Sequence, residues 1–439
     1  MKPSVQNILL ISAYSGLLIW MGYGITRSEH HLLFPVFVML FLGGISLSRR
    51  FNSIKQFLII GIVLRLLLLF ATPNLSDDYF RFAWDGRLWV ADEHPFLQTP
   101  NQWQEDPNKP ASLDAELYEG LNSKEYHSIY PSLHQVVFYI SSTIAGNDLK
   151  TNIIVMRLIL ILGEVGTMWL LGYLLHFYFK PIFWLGFYAF NPMVISEVTG
   201  NLHFEGLMLF FIALAVTLLL HKRLWQAAIA LALAVSTKLL PLIALPVFIR
   251  QLGWQKGIIF SVLAMLFSIL SFLPLWHPEL LEAMSSSLDL YFRKFEFNGS
   301  IYLLVREYGF YKKGFNIIAD SGPALAFTSF FLLVTLPFVF KKKWKISGWL
   351  CLSWTVYLLL STTVHPWYIL PLLFFGILSG WLYPLVWSFL IFFTYLQYPA
   401  GGYVELPWLM AIEYLIVLGV LIFDLKRTKL PFPFAGKLL

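Results

Sequence analysis

Two adjacent carboxylates, Asp77 and Asp78, open a polar stretch that directly follows the apolar run 57–71. Adjacent carboxylates can divide roles, because one can act as a general base while the other binds a cation or raises the pKa of its neighbour. An uncompensated pair is costly beside hydrocarbon, so its position favours chemistry over solubility. Either Asp77 or Asp78 is a candidate catalytic base, and the sequence does not decide between them, although we favour Asp77.

The same residues also have a purely structural interpretation. Ser76 is a favoured N-cap, and acids in the first turn suit the positive end of the helix dipole. The face that follows would carry Asp77, Asp78, Arg81 and Asp85 at helical spacing. This pattern is typical of an amphipathic helix on a membrane surface with a solvated ladder of charges. Spacing alone leaves both interpretations open.

A second polar group lies in "YHSIYPSLHQ", where the chain re-enters an apolar segment. Tyr130, His134 and Gln135 are its candidate binding residues. The alternative is a helix that begins near Pro131 with aromatic rings at the interface.

A third group lies in "NPMVISEVTGNLHFEG" between two apolar segments. Glu197, His203 and Glu205 fall within nine residues of a hydrophobic chain. Three such groups are costly there unless they are used, so they are candidate site residues.

Isolated charges within apolar segments form a last group. Lysines near a membrane interior usually pair with an anion such as a carboxylate or a lipid phosphate, which makes Lys238 a candidate phosphate ligand. Arg306 is an alternative for that role. Arg157 and Glu164 are weaker candidates, for which internal pairing is the simpler explanation.

Apolar helices must position these groups. Of 439 residues, 58% are hydrophobic and 18% aromatic, and the mean hydropathy is +0.69. A soluble protein could not bury that much apolar surface. Apolar runs long enough to cross about 30 Å of hydrocarbon recur along the chain. The sequence therefore predicts an all-α polytopic membrane protein.

Basic loops indicate the topology. "SRRFNSIK", "HKR", "KKKWK" and "KRTK" are expected on the cytoplasmic side, which places both termini inside and the segment 73–130 outside. That segment holds eleven acids against four bases. We expect 131–146 to lie along the outer face, the turn around Glu197 to face outside, and Lys238 to mark a break between short spans. The count is then about 14 transmembrane segments.

These boundaries divide the chain into five predicted regions. They are N-terminal transmembrane helices (1–72), an outer acidic loop with juxtamembrane helices and the catalytic acids (73–146), a transmembrane core (147–276), a second outer loop (277–321) and C-terminal transmembrane helices (322–439).

Composition also excludes some functions. The single cysteine, Cys351, allows neither an intrachain disulfide nor a cysteine-based metal site. The net charge of +6 lies largely in short loops that orient membrane proteins, so it does not indicate a nucleic-acid partner. No Gly-rich phosphate loop is present in the sequence.

An outward-facing site restricts the substrates. ATP and nucleotide sugars are not available outside the cell. An activated sugar donor must therefore reach the site attached to a carrier that crosses the bilayer. A sugar on a polyprenyl phosphate meets this requirement. Its phosphate would need Lys or Arg, and sugar transfer would need a carboxylate base to deprotonate an acceptor hydroxyl.

Four motifs resemble those of one family, in the same order. "SDDYFRFAWDGRLWVADEHPF" is similar to the first outer loop of GT-C superfamily glycosyltransferases, in particular the bacterial polyprenyl-phosphate-mannose-dependent type. "YPSLHQ" resembles Y-P-P-x-x-Q, "NPMVISEVTGNLHFEG" resembles N-P-x-x-x-x-E with H-x-D, and "TKLLPLIALP" resembles K-x-x-P-x-x-x-x-P. The resemblance covers about 73–246. Departures occur at His94, Ser132 and Glu205, which stand for Asn, Pro and Asp.

The resemblance implies a GT-C-like helical bundle that transfers a hexose, with mannose preferred, to an acceptor on the outer face of the bacterial inner membrane with inversion. Asp77 or Asp78 would be the base or contact a metal, since some relatives use a divalent cation and others do not. Lys238 or Arg306 would hold the donor phosphate. The remaining site residues would be Arg81, Asp85, Tyr130, His134, Gln135, Glu197, His203 and Glu205.

The expected partners are the polyprenyl-phosphate sugar donor, membrane lipids, and an acceptor that is a lipid-linked glycan, a polysaccharide or a protein. A rival function is a multi-pass transporter or lipid flippase, in which Arg157, Glu164 and Lys238 would line a polar pathway. Transporters often consist of two related halves with a midplane site, whereas the polar groups here gather on one side. A lipid-binding scaffold is a third alternative, but it leaves the acids without a role.

Overall fold

The structure is a computed structural model that describes residues 5–340 and 344–427, except for the side chains of four residues between 288 and 292. In these ranges the regular structure is helical, apart from one isolated bridge between Phe297 and Thr363. The predicted all-α class is confirmed. The basic loop residues 341–343 and the chain from 428 onward lie outside the described residues.

The first part of the chain forms eight α-helices. They are α1 (Val5–Gly24), α2 (His30–Ser48), α3 (Ile54–Leu66), α4 (Asp78–Val90), α5 (Pro100–Glu105), α6 (Ala115–Glu119), α7 (Ser132–Ala145) and α8 (Leu149–Phe177).

The middle of the chain is more broken. It contains α9 (Gly186–Ala189), α10 (Pro192–Val194), α11 (Glu205–Leu220), α12 (Leu224–Thr237), α13 (Leu245–Leu252) and α14 (Trp254–Ser271). A 3-10 helix (Ile182–Leu185) precedes α9, a π-helix (Ile195–Gly200) follows α10, and further 3-10 helices span Leu240–Ala244 and Leu273–Leu275.

The last part holds α15 (Leu280–Lys294), α16 (Ser300–Lys313), α17 (Ile318–Val339), α18 (Ile346–Leu360), α19 (Leu370–Ser379), α20 (Tyr383–Leu390) and α21 (Pro407–Arg427). 3-10 helices span Pro366–Ile369 and Ile391–Gln397.

Membrane-spanning helices form the body of the protein. Within the described ranges, six helices are long and apolar enough to cross a membrane, namely α1, α2, α8, α14, α17 and α21. The pair Pro192–Gly200 and Glu205–Leu220 adds a seventh if it counts as one span, although it is bent by 110°. The protein is an integral membrane protein, and the predicted count of about 14 segments is not confirmed.

Exposed apolar side chains support this assignment. Val262 and Ile269 on α14, Phe327 on α17, and Leu415 on α21 are all well exposed in the isolated chain. Such outward faces are suited to lipid, because contact with acyl chains removes their apolar surface from water.

Breaks in the middle of the chain bring polar residues to one end of the bundle. The segment 181–200 is divided into short helical pieces that end in the π-helix Ile195–Gly200. The predicted break at Lys238 is present, since α12 ends at Thr237 and Lys238 is extended. Single-turn π-helices occur mostly at functional sites.

The segment 73–146 is folded onto the bundle by α4 and α7. Gly86 makes their close approach possible, because a Cβ there would lie 2.4 Å from the carbonyl oxygen of Phe138. Trp84 and Leu88 on α4 enter a separate small core with Trp103 and Leu117 from the loop. The α7 helix, expected along the outer face, has 14 residues and is shorter than a full span.

Candidate active site

A cavity of about 450 Å³ lies where the segment 73–146 meets the helix breaks of the bundle. Its lining comes from the α1–α2 connection, the start of α4, the segment 122–130, α7, the turn after the π-helix, Lys238, and the C-terminal segments around 295–297, 363–368 and 394–398. Asp77, Asp78, Arg81 and Lys238 are among the lining residues. Residues distant in sequence therefore form one site.

Asp77 holds the N-cap position of α4 but does not cap it. Its side chain makes no cap hydrogen bond, and it pairs instead with Arg27 Nη2 at 3.1 Å. The prediction that Ser76 is the N-cap is wrong, because the helix begins one residue later and Ser76 Oγ only accepts a bond from the Asp78 amide at 3.3 Å. The Asp77 carboxylate is thus available to the cavity and to Arg27.

Asp78 lies deeper in the same cavity. Burial raises the pKa of Asp78, and the charge of Asp77 acts in the same direction. Asn122 Nδ2 donates a hydrogen bond to Asp78 Oδ1 at 3.1 Å, which together with the Lys238 charge opposes the increase in pKa. A carboxylate with a raised pKa is a stronger base, so Asp78 has the properties of a proton acceptor.

Arg81 and Asp85 form a closed ion pair one turn further along α4. Arg81 Nε lies 2.8 Å from Asp85 Oδ1, and their side chains are only 4% and 0% exposed. The other oxygen of Asp85 accepts hydrogen bonds from Ser128 and from Gln135 Nε2. The solvated charge ladder considered for this face is therefore wrong for Arg81 and Asp85, because these two charges are buried and bonded to each other.

This ion pair also positions the loop that covers the cavity. Arg81 Nη1 donates to the carbonyl oxygens of Ser123 at 3.2 Å and Tyr126 at 2.9 Å. Since Ser123 follows Asn122, the guanidinium holds the segment that supplies the Asp78 partner. Arg81 lines the cavity, whereas Asp85 and Gln135 lie behind its wall.

Lys238 contributes the positive charge of the opposite wall. Its Nζ lies 2.5 Å from Glu205 Oε1, and its side chain is 25% exposed. An ammonium group has three donors, so one bond to Glu205 leaves others that point elsewhere. Glu205 itself is buried and does not line the cavity. Glu205 thus fixes the position of the Lys238 ammonium group, which faces the cavity.

Glu197 and His203 lie beneath this wall. Tyr395 donates its hydroxyl hydrogen to Glu197 Oε1 at 2.7 Å. His203 Nε2 lies 3.4 Å from Glu197 Oε2 without a well-formed hydrogen bond. The His203 ring stacks on Trp367 at 3.5 Å between centroids, and Trp367 stacks on His365 at 4.4 Å. The π-helix thus supports an aromatic column that lines the cavity.

Arg306 lies outside the cavity lining. It forms ion pairs with Glu405 at 2.7 Å, Glu307 at 3.2 Å and Glu296 at 3.6 Å. These carboxylates already surround its charge. Of the two predicted phosphate ligands, Lys238 lines the cavity and Arg306 does not.

Two of the three charges assigned to a transport pathway, Arg157 and Glu164, are bonded inside the bundle. Glu164 pairs with Arg65 at 2.7 Å, and both side chains are fully buried. Arg157 donates to the carbonyl oxygens of Thr199, Gly200 and Leu69. Neither Arg157 nor Glu164 lines the cavity.

Several lining residues were not identified in the sequence. Arg27 could have been found, because the predicted topology puts the α1–α2 connection on the same side as Asp77. Asn122, Tyr395 and Tyr398 carry no such signal. Trp367 carries only a weak signal, because a tryptophan at the head of an apolar segment is explained equally well by an interfacial aromatic belt.

The fit of a divalent cation can be tested on the donor atoms. Within residues 5–340 and 344–427, no group of three or more His, Cys, Asp or Glu side chains is arranged to hold a metal ion. In the acid pair, Asp77 is bonded to Arg27 and Asp78 to Asn122. These residues do not fit a metal site.

Comparison with known proteins identifies the family of the chain. Residues 11–253 match the family model described as alpha-(1->6)-mannopyranosyltransferase, N-terminal domain. The chain belongs to this family of membrane glycosyltransferases, which confirms the predicted relationship to GT-C mannosyltransferases.

A curated relative is alpha-(1->6)-mannopyranosyltransferase A of Corynebacterium glutamicum. It is 25% identical over 187 residues, which cover 42% of this chain and 36% of the relative. The alignment thus spans about a third of that protein's length.

Proposed function

We propose that the protein transfers a mannosyl residue from a polyprenyl-phosphate carrier to an acceptor hydroxyl on the outer face of the membrane. The observation that carries this proposal is the single cavity in which Asp78, a carboxylate with a raised pKa, faces the same space as the ammonium group of Lys238. A base and a phosphate ligand in one outer cavity are the two groups that such a transfer needs.

Asp78 is the base in this mechanism, and Asp77 is its positioning partner. Asp77 is paired with the charged guanidinium of Arg27, whereas the Asp78 carboxylate accepts a hydrogen bond from the neutral amide of Asn122. The acceptor oxygen attacks the anomeric carbon as its proton passes to Asp78. The bond from that carbon to the phosphate oxygen breaks, polyprenyl phosphate leaves, and the configuration inverts.

Lys238 stabilises the departing phosphate. The negative charge on the leaving group grows as the bond breaks, so an ammonium group held by Glu205 favours the transition state over the ground state. The polyprenyl tail would lie among lipid-facing helices. A smaller cavity of about 160 Å³, lined mainly by apolar residues of α17 and α18, reaches Thr362, the residue next to Thr363 of the main cavity.

The test incubates the purified full-length protein with labelled polyprenyl-phosphate mannose and a membrane extract that contains acceptors. Wild type should form a mannosylated product. Lys238→Met should lower kcat by a larger factor than the factor by which it changes KM. The matched control is Lys256→Met, which removes an exposed lysine outside the cavity lining and should leave kcat within a few-fold. Movement of a solute across proteoliposomes without any transfer product would instead favour a transporter.

A further inference from the structure

His134 is the most enclosed titratable side chain that lines the cavity. It is 1% exposed, and its ring packs against Phe204 at 3.8 Å and Phe138 at 4.7 Å between centroids. Tyr130 and Phe82 complete the enclosure at 4.8 and 5.6 Å. Four aromatic rings therefore fix the orientation of the imidazole, while the residue still lines the cavity.

The hydrogen bonding of His134 determines its tautomer. Nδ1 lies 3.1 Å from the carbonyl oxygen of Thr237, which can only accept, so Nδ1 carries the hydrogen. Burial lowers the pKa of His134 well below its ordinary value, and the charge of Lys238 lowers it further. The ring is neutral, and Nε2 presents a bare lone pair.

That lone pair has no partner within the described part of the chain. A buried acceptor without a donor costs about 1–3 kcal/mol, so a ligand that donates a hydrogen bond there is favoured. A phosphate oxygen is itself an acceptor and would be repelled by the lone pair. A sugar hydroxyl is a donor and fits.

The neighbours of His134 indicate that its ligand is the transferred sugar and not the acceptor. Thr237, its hydrogen-bond partner, directly precedes Lys238, to which the proposed function assigns the donor phosphate. The hydroxyl groups of the transferred sugar are attached close to that phosphate, whereas the acceptor approaches from the side of Asp78.

We propose that Nε2 of His134 accepts a hydrogen bond from one hydroxyl group of the transferred sugar and so makes the enzyme selective for that hydroxyl. This inference rests on the proposed function, because it takes the polyprenyl-phosphate sugar as the ligand. His134 is then a specificity-determining residue and not the base.

Two isosteric variants separate this role from a structural one. In His134→Asn the side-chain amide can replace Nδ1 as donor to Thr237, but nothing occupies the position of Nε2. In His134→Gln the amide oxygen can replace Nε2 as acceptor, but the bond to Thr237 is lost. A role in sugar recognition needs the acceptor retained by Gln, whereas a structural role needs the donor retained by Asn.

The experiment measures kcat/KM for polyprenyl-phosphate mannose and for its 2-, 3-, 4- and 6-deoxy analogues. Wild type should discriminate against one analogue by about tenfold or more, since loss of one buried hydrogen bond is of that size. His134→Asn should reduce this ratio towards one, and His134→Gln should largely keep it.

The inference is overturned if wild type transfers mannose but accepts all four deoxy sugars equally well, a result that needs no variant to fold. It is also overturned if the discrimination ratio is unchanged in His134→Asn. Failure of wild type to transfer any polyprenyl-phosphate sugar would refute the proposed function itself, and this outcome is distinct from both.

Discussion

The two ends of one face of α4 differ in how completely their charges are bonded. Asp77 and Asp78, at the start of the helix, face the cavity, and their partners Arg27 and Asn122 leave acceptor sites open. Two turns later Asp85 is fully buried and bonded on both carboxylate oxygens. The same residue type at helical spacing thus lines the cavity at one end, where we propose a chemical role, and forms a buried ion pair at the other.

A second ion pair in the bundle shows the same principle. The carboxylate of Glu164 receives bonds from Arg65 and from Tyr188, and neither charge of the pair reaches the cavity. Burial of a charge is tolerated when its geometry and remaining hydrogen bonds are satisfied. Incomplete bonding beside a cavity, more than burial itself, distinguishes the candidate catalytic groups.

Substitution at the open end should have the largest effect on activity. Asp78→Asn keeps the shape and the contact with Asn122 but removes the base, so we expect kcat to decrease by about 10²–10⁴-fold, the range typical of general base catalysis. The measurement is single-turnover transfer of labelled mannose by detergent-purified protein. Unchanged elution and melting temperature would show that the variant folds.

Near-normal turnover by a folded Asp78→Asn protein would remove Asp78 from the mechanism. Asp85→Asn does not serve as a control for this experiment, because Asp85 supports the loop that carries Asn122. Glu307→Gln is a better control, since Glu307 is exposed and lies outside the cavity lining.

Substitution at the closed end should act on stability. Asp85→Ala leaves the Arg81 guanidinium buried without its carboxylate, and we expect a loss of about 3–5 kcal/mol in the free energy of unfolding. Thermal unfolding in detergent, followed by tryptophan fluorescence, measures this loss. The double variant Arg81→Met/Asp85→Leu should be less destabilised than Asp85→Ala, because it leaves no unpaired charge.

A double variant that is at least as unstable as the single one would contradict the view that the Asp85 end is a closed structural pair. In that case the contribution of Arg81 to stability would come mainly from its hydrogen bonds to the 123–126 segment.

The sequence predicted the parts of this comparison that depend on local pattern. Membrane character follows from the apolar runs, and the helix after Asp77 follows from the helical spacing of its charges. The break at Lys238 follows from a lysine within an apolar segment. The four motifs identified seven of the residues that line the cavity, namely Asp77, Asp78, Arg81, Tyr130, His134, His203 and Lys238.

What the sequence could not predict depends on distant contacts. Arg27 meets Asp77 across 50 residues and Tyr395 meets Glu197 across 198, and no local pattern encodes such pairs. The burial of Asp85 could not be predicted for the same reason, because it depends on Ser128 and Gln135 from another part of the chain. An exposed and a buried carboxylate on one helix face have the same spacing in the sequence.

Removal of the Asn122 donor should alter the pH dependence at the open end. The Asn122 amide holds the pKa of Asp78 down, so Asn122→Ala should raise this pKa further. Asp78 works as the carboxylate and is lost as base when the pH falls through its pKa. The acid limb of kcat/KM should therefore move to higher pH, with a few-fold lower activity on that limb and little change on the alkaline side.

The check is a pH profile of kcat/KM for wild type and Asn122→Ala on the same donor. Asn108→Ala, which changes an exposed asparagine of the same loop, should leave the profile unchanged. A limb that stays in place would mean that Asp78 does not control the acid side of the profile.

Asp77→Asn should give the smallest effect and the opposite sign. The negative charge of Asp77 raises the pKa of Asp78, so its removal should move the acid limb to lower pH. The change in stability should be within about 1 kcal/mol, because the pair with Arg27 is half exposed, at 33% and 48%. Activity near neutral pH should stay within a few-fold of wild type. If Asp77→Asn instead abolishes transfer while Asp78→Asn does not, the roles of the two aspartates are exchanged, and the charge held by Arg27 is the base.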